Sequence, residues 1–383
     1  MKDSLGLYLH FPFCVRKCAY CDFLSAPADE ATKRAYAAAM VREIELAGQR
    51  IREEAPGTTV DTVFLGGGTP SAMPADALFS VMEALREHFE IQEDAEITME
   101  VNPGTLHQGI LSFIGEHINR VSVGLQGTHR EELAVLGRIH SYEEFLRSFE
   151  ALREGGVENL SVDLMSAVPG QTEAMWEEDL LRVADLGPEH ISAYSLIIEE
   201  GTPFYEADAR GEFCGKLALP DEETERLMYH RTREILASYG YERYEISNYA
   251  RAGYASRHNL RYWDRRDYIG FGIGAASLFE HARWNNTRRL TEYMSGDFGR
   301  RDEILLTKEA EMEEFMFLGL RKTEGVSFSE FEQYFGTAME AVYGDVLSKH
   351  VADGLLCAEG GRVFLTERGL DLANVVMADY IGA

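Results

Sequence analysis

From Leu5 to about Ser195 the chain alternates short apolar runs with longer stretches whose apolar positions recur at helical spacing. This is the pattern of βα units laid around a parallel sheet. The runs predict strands over Leu5–His10, Thr59–Leu65, Glu96–Val101, Arg120–Gly124, Asn159–Met165 and His190–Ser195. Helical patterns at Thr32–Glu53, Ala75–His88, Leu106–Glu116, Tyr142–Glu154 and Thr172–Leu186 lie between them, each long enough for a right-handed crossover. Six such units predict an α/β fold, a partial (β/α)6 TIM-like barrel whose functional groups gather at the C-terminal ends of the strands.

After Ile198 the alternation decays. A helix is predicted over Asp221–Tyr239, followed by an irregular segment, Tyr241 to Asn286, rich in Tyr, Asn and Gly. Within it Gly270-x-Gly272-x-x-Ala275 imitates a dinucleotide fingerprint, but no βαβ unit frames it and it reads as a turn. From about Lys308 the pattern is again helical, at Glu314–Leu320, Phe328–Tyr334 and Met339–His350, with strand-like runs Leu355–Ala358 and Val363–Leu365. That order suggests a small, mainly helical, winged-helix-like domain. The expected division is 1–240 for the barrel core, 241–305 for the irregular segment and 306–383 for the C-terminal domain.

With 45% hydrophobic and 27% charged residues the chain can bury a sizeable core. Its net charge of -28 would repel a phosphate backbone, which argues against a nucleic acid partner. The N-terminus has no signal-peptide pattern, and no apolar run approaches the ~18 residues of a membrane span. A cytoplasmic location is therefore expected, with membrane association transient at most. Five cysteines suit no disulfide framework, because three of them crowd together.

Those three are Cys14, Cys18 and Cys21, immediately after the first strand. Three thiols can hold three corners of a 4Fe-4S cubane and leave one iron open to an outside ligand. The alternative is zinc, which needs a fourth donor that His10 could supply. Gly66-Gly67-Gly68-Thr69-Pro70 follows the second strand, where glycines let backbone approach a ligand closely; read alone, the strip is equally a tight turn. Glu100, Gln126 and Asp163 sit at other strand ends and would point into the barrel mouth, and Arg138 suits a carboxylate. Singly, each could be a satisfied core group or a surface ion pair. Convergence on one rim favours a ligand with an amine, a carboxylate and a ribose.

The C-x3-C-x2-C spacing followed by Phe23 resembles the signature of the radical S-adenosylmethionine (SAM) superfamily. With Tyr8-x-His10-x-Pro-Phe-Cys14, Glu100-Val-Asn-Pro, Leu136-Gly-Arg138-x-His140 and Pro169-Gly-Gln-Thr172, the resemblance narrows to the coproporphyrinogen dehydrogenase-like family. It implies SAM contacts from Tyr8, Tyr20, Gly67, Gly68, Thr69, Glu100, Gln126, Arg138 and Asp163. The decarboxylating members carry a further Cys where this chain has Phe23. Cys21-Asp-Phe23 together with His258-Asn259-Leu-Arg-Tyr262-Trp263 resembles the HemW-type haem chaperones instead.

That resemblance implies a third cofactor, haem, held by His258, Asn259, Tyr262 and Trp263, with His258 offering nitrogen to iron. It also implies an acceptor protein for haem, such as a respiratory enzyme. Without that context, a His-aromatic patch is more often packing. Oxygen-independent coproporphyrinogen III decarboxylation is the alternative activity, and a radical methyltransferase the next. Ala276-Ser277 and Ser166-Ala167 depart from the family pattern, so the rim is expected to differ there.

Overall fold

In the computed structural model, which describes residues 4–383, the predicted strands form the centre of a mixed sheet of twelve. The barrel strands are β1 (Leu5–Phe11), β2 (Thr59–Gly67), β3 (Glu90–Val101), β4 (Arg120–Gln126), β5 (Asn159–Ser166) and β6 (His190–Ser195). They pair in parallel and in chain order, so the partial-barrel expectation holds. One face is apolar and sealed by the helices: Leu7, Leu9, Val63, Leu65, Met99, Val121, Val123, Val162, Leu164 and Ile191 are fully buried. The other face is polar, with Glu100, Arg120, Ser122, Asp163 and Ser192 turned to a central cavity. Parallel strands covered on both faces normally read as continuous apolar runs. Alternation here marks an interior kept for a polar ligand.

The segment expected to be irregular instead carries five short strands and a helix. It contains β7 (Glu242–Glu245), β8 (Asn248–Ala250), β9 (Tyr268–Phe271), β10 (Ala276–Phe279) and β11 (Ala282–Asn285), with β12 (Arg301–Leu305) following. β8 and β7 extend the β6 edge antiparallel, while β9 joins β1 in parallel and leads to β10, β11 and β12. Strands of three to five residues are too short to show a period. The stretch Gly272 to Ala275 is the turn between β9 and β10, as expected, with Gly272 at φ 95°.

β3 starts earlier than predicted, because Glu90 to Asp94 is charged and largely exposed although it pairs with β2. The short helix Arg130–Leu136, ended by Gly137 at φ 74°, was not anticipated. Past residue 306, helices Lys308–Gly319, Phe328–Phe335 and Met339–Ala352 pack with a three-stranded sheet. That sheet comprises β13 (Val326–Ser327), β14 (Leu356–Glu359) and β15 (Arg362–Leu365), in the order β13-β15-β14. Met316, Phe331, Tyr343, Val363 and Tyr380 anchor a second core there.

Candidate functional site

Beyond Phe11 the chain leaves β1 in a loop pinned by backbone hydrogen bonds. Cys14 N–H donates to the Ala26 carbonyl at 3.3 Å and Ala26 N–H to the Pro12 carbonyl at 3.0 Å. Midway, Ala19 N–H donates to the Leu136 carbonyl at 3.1 Å, and the Ala19 carbonyl accepts from Phe204 N–H at 3.1 Å. Held this way, the loop presents the free thiols of Cys14, Cys18 and Cys21 to one cavity of 350 Å3. Thr69 Oγ1 donates to Cys14 Sγ at 3.4 Å and Arg138 Nη1 to Cys18 Sγ at 3.6 Å. His10 does not complete a zinc tetrahedron. Its Nδ1 meets the Tyr8 hydroxyl at 3.0 Å and its Nε2 the Leu24 carbonyl at 2.9 Å. Three thiols without a fourth protein donor suit a cubane with one open iron.

Tyr20, Gly67, Gly68, Thr69, Glu100, Gln126, Arg138 and Asp163 line the same cavity as the thiols. Tyr8 is the exception: it lies in an adjoining cleft, its ring 6.2 Å from that of Phe64. The wall is a bonded network. Gly67 N–H donates to Glu100 Oε2 at 3.0 Å, Ser122 Oγ to Asp163 Oδ1 at 3.0 Å, and Tyr194 Oη to Gln126 Oε1 at 3.0 Å. Asn102 joins two of its members, donating from Nδ2 to Thr69 Oγ1 at 2.7 Å and accepting from Arg138 Nη2 at 2.6 Å.

Burial, reinforced by the neighbouring Asp163, pushes the Glu100 carboxyl up to about 7. The buried Nε atoms of Arg120 and Arg138 have no hydrogen-bond partner. A Cβ on Gly124 would come within 3.0 Å of Asn102 Oδ1, 3.2 Å of Gln126 Nε2 and 3.3 Å of Arg138 Nη2, filling the cradle. Guanidinium N–H groups with spare capacity facing two carboxyls suit a ligand bearing both an amine and a carboxylate. Asn102, Arg120, Ser122, Ser192, Tyr194 and Asn248 also line the cavity and escaped the sequence reading. The period-2 pattern in β4 and β6 marks Arg120, Ser122, Ser192 and Tyr194 in retrospect.

The His258-Asn-x-x-Tyr-Trp segment is the helix Arg257–Trp263, which crosses the barrel floor. Glu96, at the entry of β3, accepts from the N–H groups of Arg257 and His258 at 2.9 and 3.0 Å, and Ser256 caps the helix through Asn259 N–H. His258 is 1% exposed, and both ring nitrogens are engaged, Nδ1 with Thr62 Oγ1 and Nε2 with the Tyr262 hydroxyl, each at 2.9 Å. In this arrangement both nitrogens expected to face haem iron are instead taken up inside the fold. Arg261 pairs with Asp61 and donates to the carbonyls of Ser4 at 2.8 Å and Asp267 at 2.9 Å. Trp263 lies under Arg321, whose guanidinium is 4.3 Å from the ring centre. Asn259 alone of the four expected haem residues faces the thiol cavity, and Tyr262 reaches the adjoining cleft.

At the departures from the family pattern, Ala276 lines that cleft, Ser166 Oγ meets Ser195 Oγ at 3.2 Å, and Ala167 adopts φ 58°.

A partial barrel with three thiols on the loop after its first strand and a polar cradle at its strand ends defines a radical SAM protein. Residues 8–183 match the radical SAM superfamily and residues 306–372 the HemN C-terminal domain. The solved structure of coproporphyrinogen III oxidase (HemN) from Escherichia coli, a radical SAM enzyme, superimposes with a TM-score of 0.85 at 22% identity, covering 99% of this chain and 90% of that one. Heme chaperone HemW of Lactococcus lactis is 33% identical over 385 residues, 100% of this chain and 98% of the relative. Heme chaperone HemW of Bacillus subtilis is 36% identical over 386 residues, 98% of each. The chain belongs to the HemW family of radical SAM proteins. Among the described residues no helix is long and apolar enough to cross a membrane.

Proposed function

We propose that this protein is a haem chaperone: it holds a SAM-ligated 4Fe-4S cluster on Cys14, Cys18 and Cys21, takes up haem beside that cluster and passes it to an acceptor protein. The observation that carries the haem step is the cleft of 340 Å3 next to the cluster loop. Tyr8, Phe23, Tyr262 and Tyr268 give it aromatic walls, and Arg288, His10 and Asp22 also line it. Phe23 is 59% exposed, a large aromatic without a protein partner on its outer face. Aromatic walls take a porphyrin plane, and a guanidinium takes a propionate in a chain otherwise strongly acidic. Full-length relatives carrying the name heme chaperone support the same reading.

In the thiol cavity the Arg120 and Arg138 guanidiniums receive the SAM carboxylate, while Glu100 and Asp163 receive its amine and ribose. The bound cluster supplies one electron to SAM when it is reduced. The chain's own part is to hold the sulfonium end against the thiol loop and to close the polar cradle around it.

Gly124→Val fills that cradle. The variant is expected to keep the cluster absorption and lose SAM retention on anaerobic gel filtration. Glu100 must be ionised to receive an amine, and its carboxyl titrates about 7. SAM affinity should therefore rise between pH 6 and 8, measurable by equilibrium dialysis, and a flat profile would remove Glu100 from the amine site. The chaperone reading itself is tested by incubating the reconstituted protein with haem, coproporphyrinogen and SAM. Saturable haem uptake without SAM turnover is expected; 5′-deoxyadenosine formation matched to coproporphyrinogen loss would replace the reading with decarboxylation.

A further inference from the structure

We propose that His129, Glu132 and Asp179 form a binding site for one divalent transition-metal ion, separate from the cluster. The three side chains converge behind the β4 wall of the cavity, with donor atoms all within 4.8 Å of one another. Asp179 is 0% and Glu132 2% exposed. One oxygen of Asp179 is fully used: Oδ1 accepts from Thr128 N–H at 2.7 Å and from Thr128 Oγ1 at 2.6 Å. Its other oxygen, Oδ2, accepts no hydrogen bond, and neither does Glu132 Oε1, while His129 Nε2 makes none and lies 3.5 Å from Glu178 Oε2.

Two buried carboxyls facing each other need a proton or a cation between them. No cationic side chain fills that place. Among the described residues neither Asp179 nor Glu132 pairs with Lys or Arg, and the nearby Arg182 is bound to Glu178 and Thr128 Oγ1. His129 Nε2 approaches Asp179 Oδ1 only to 3.9 Å.

One imidazole nitrogen and two carboxylate oxygens are a donor set for zinc or a similar borderline ion. Zinc holds such donors about 2.1 Å away and so roughly 3.5 Å apart, a contraction of about 1 Å from the present spread. The ion would tie the loop after β4 to the helix Glu173–Leu186. Gln126, at φ 76° two residues before Thr128, would thereby be fixed against the cavity.

The test uses full-length protein with its cluster reconstituted, so that the thiols are occupied, dialysed anaerobically against Zn(II) and analysed for zinc and iron. Wild type should retain one zinc beyond the cluster iron and melt at a higher temperature with zinc than without. His129→Ala and Glu132→Gln should each weaken zinc binding at least ~100-fold, more than loss of an outer-shell partner would, and abolish the thermal shift at unchanged iron content. Glu132→Gln preserves shape, which guards against simple misfolding. Wild type that retains no zinc, or variants that retain as much as wild type, would overturn the site and leave Glu132 and Asp179 as carboxyls sharing a proton.

Discussion

Alanine at any one of Cys14, Cys18 or Cys21 should leave the anaerobically reconstituted protein without its 4Fe-4S absorption and with iron near background. Two thiols hold only two corners of a cubane, and His10, the fourth donor a zinc site would need, is committed to Tyr8 and Leu24. The loop itself should persist, since backbone bonds from Cys14, Ala19 and Ala26 fix it without the metal. Far-ultraviolet circular dichroism should therefore match that of cluster-free wild type. Cys214→Ser and Cys357→Ser should load a full cluster, as neither residue lines the thiol cavity. A stable cluster in any variant of the three would mean that a fourth donor exists.

Arg261→Ala should destabilise the fold by about 3–5 kcal/mol, the range for stripping one partner from a buried ion pair. Its loss leaves Asp61 without its closest cation and takes one donor each from the carbonyls of Ser4 and Asp267. It also opens space beside Gly6, whose hydrogen points at the Arg261 stem: a Cβ there would lie 2.3 Å from Arg261 Cδ. The midpoint of urea denaturation measures it, and a change below about 1 kcal/mol, the surface ion-pair range, would show that the floor helix is not fixed as described.

The same floor gives a pH dependence. Burial, with Arg261 and Arg120 nearby, pushes His258 down to about 3 from its ordinary 6.5. Between those values the unfolded chain binds the extra proton and the folded chain does not. Its contribution to stability is present above pH 6.5 and is lost as pH falls towards 3.

The six barrel strands and the cluster loop were legible because their signals are local: an apolar run, a turn, three cysteines at fixed spacing. Glu100, Gln126 and Asp163 were found from their places at strand ends and Arg138 from its chemistry, and the structure gathers them around one cavity. What the sequence hid depends on partners far along the chain. β7 to β11 are too short to show a period and form by adding to strand edges already made. His258 reads as an iron ligand by resemblance until Thr62, some two hundred residues earlier, takes its Nδ1. Arg120 is only the first residue of a predicted strand in the sequence, yet the β4 register turns it into the cavity. Asp179 and Thr128 likewise meet only in the fold.

Haem uptake beside the cluster loop, without His258 as the iron ligand, is tested most directly by an anaerobic Soret titration of the cluster-loaded protein. Wild type, Arg288→Glu and a folded His258→Gln variant should be compared in one series. Wild type should saturate, Arg288→Glu should bind at least about tenfold more weakly through the lost charge-assisted contact to a propionate, and His258→Gln should retain the wild-type Soret position. No saturable change in wild type, or full binding by Arg288→Glu with a lost or shifted Soret band in His258→Gln, would contradict it.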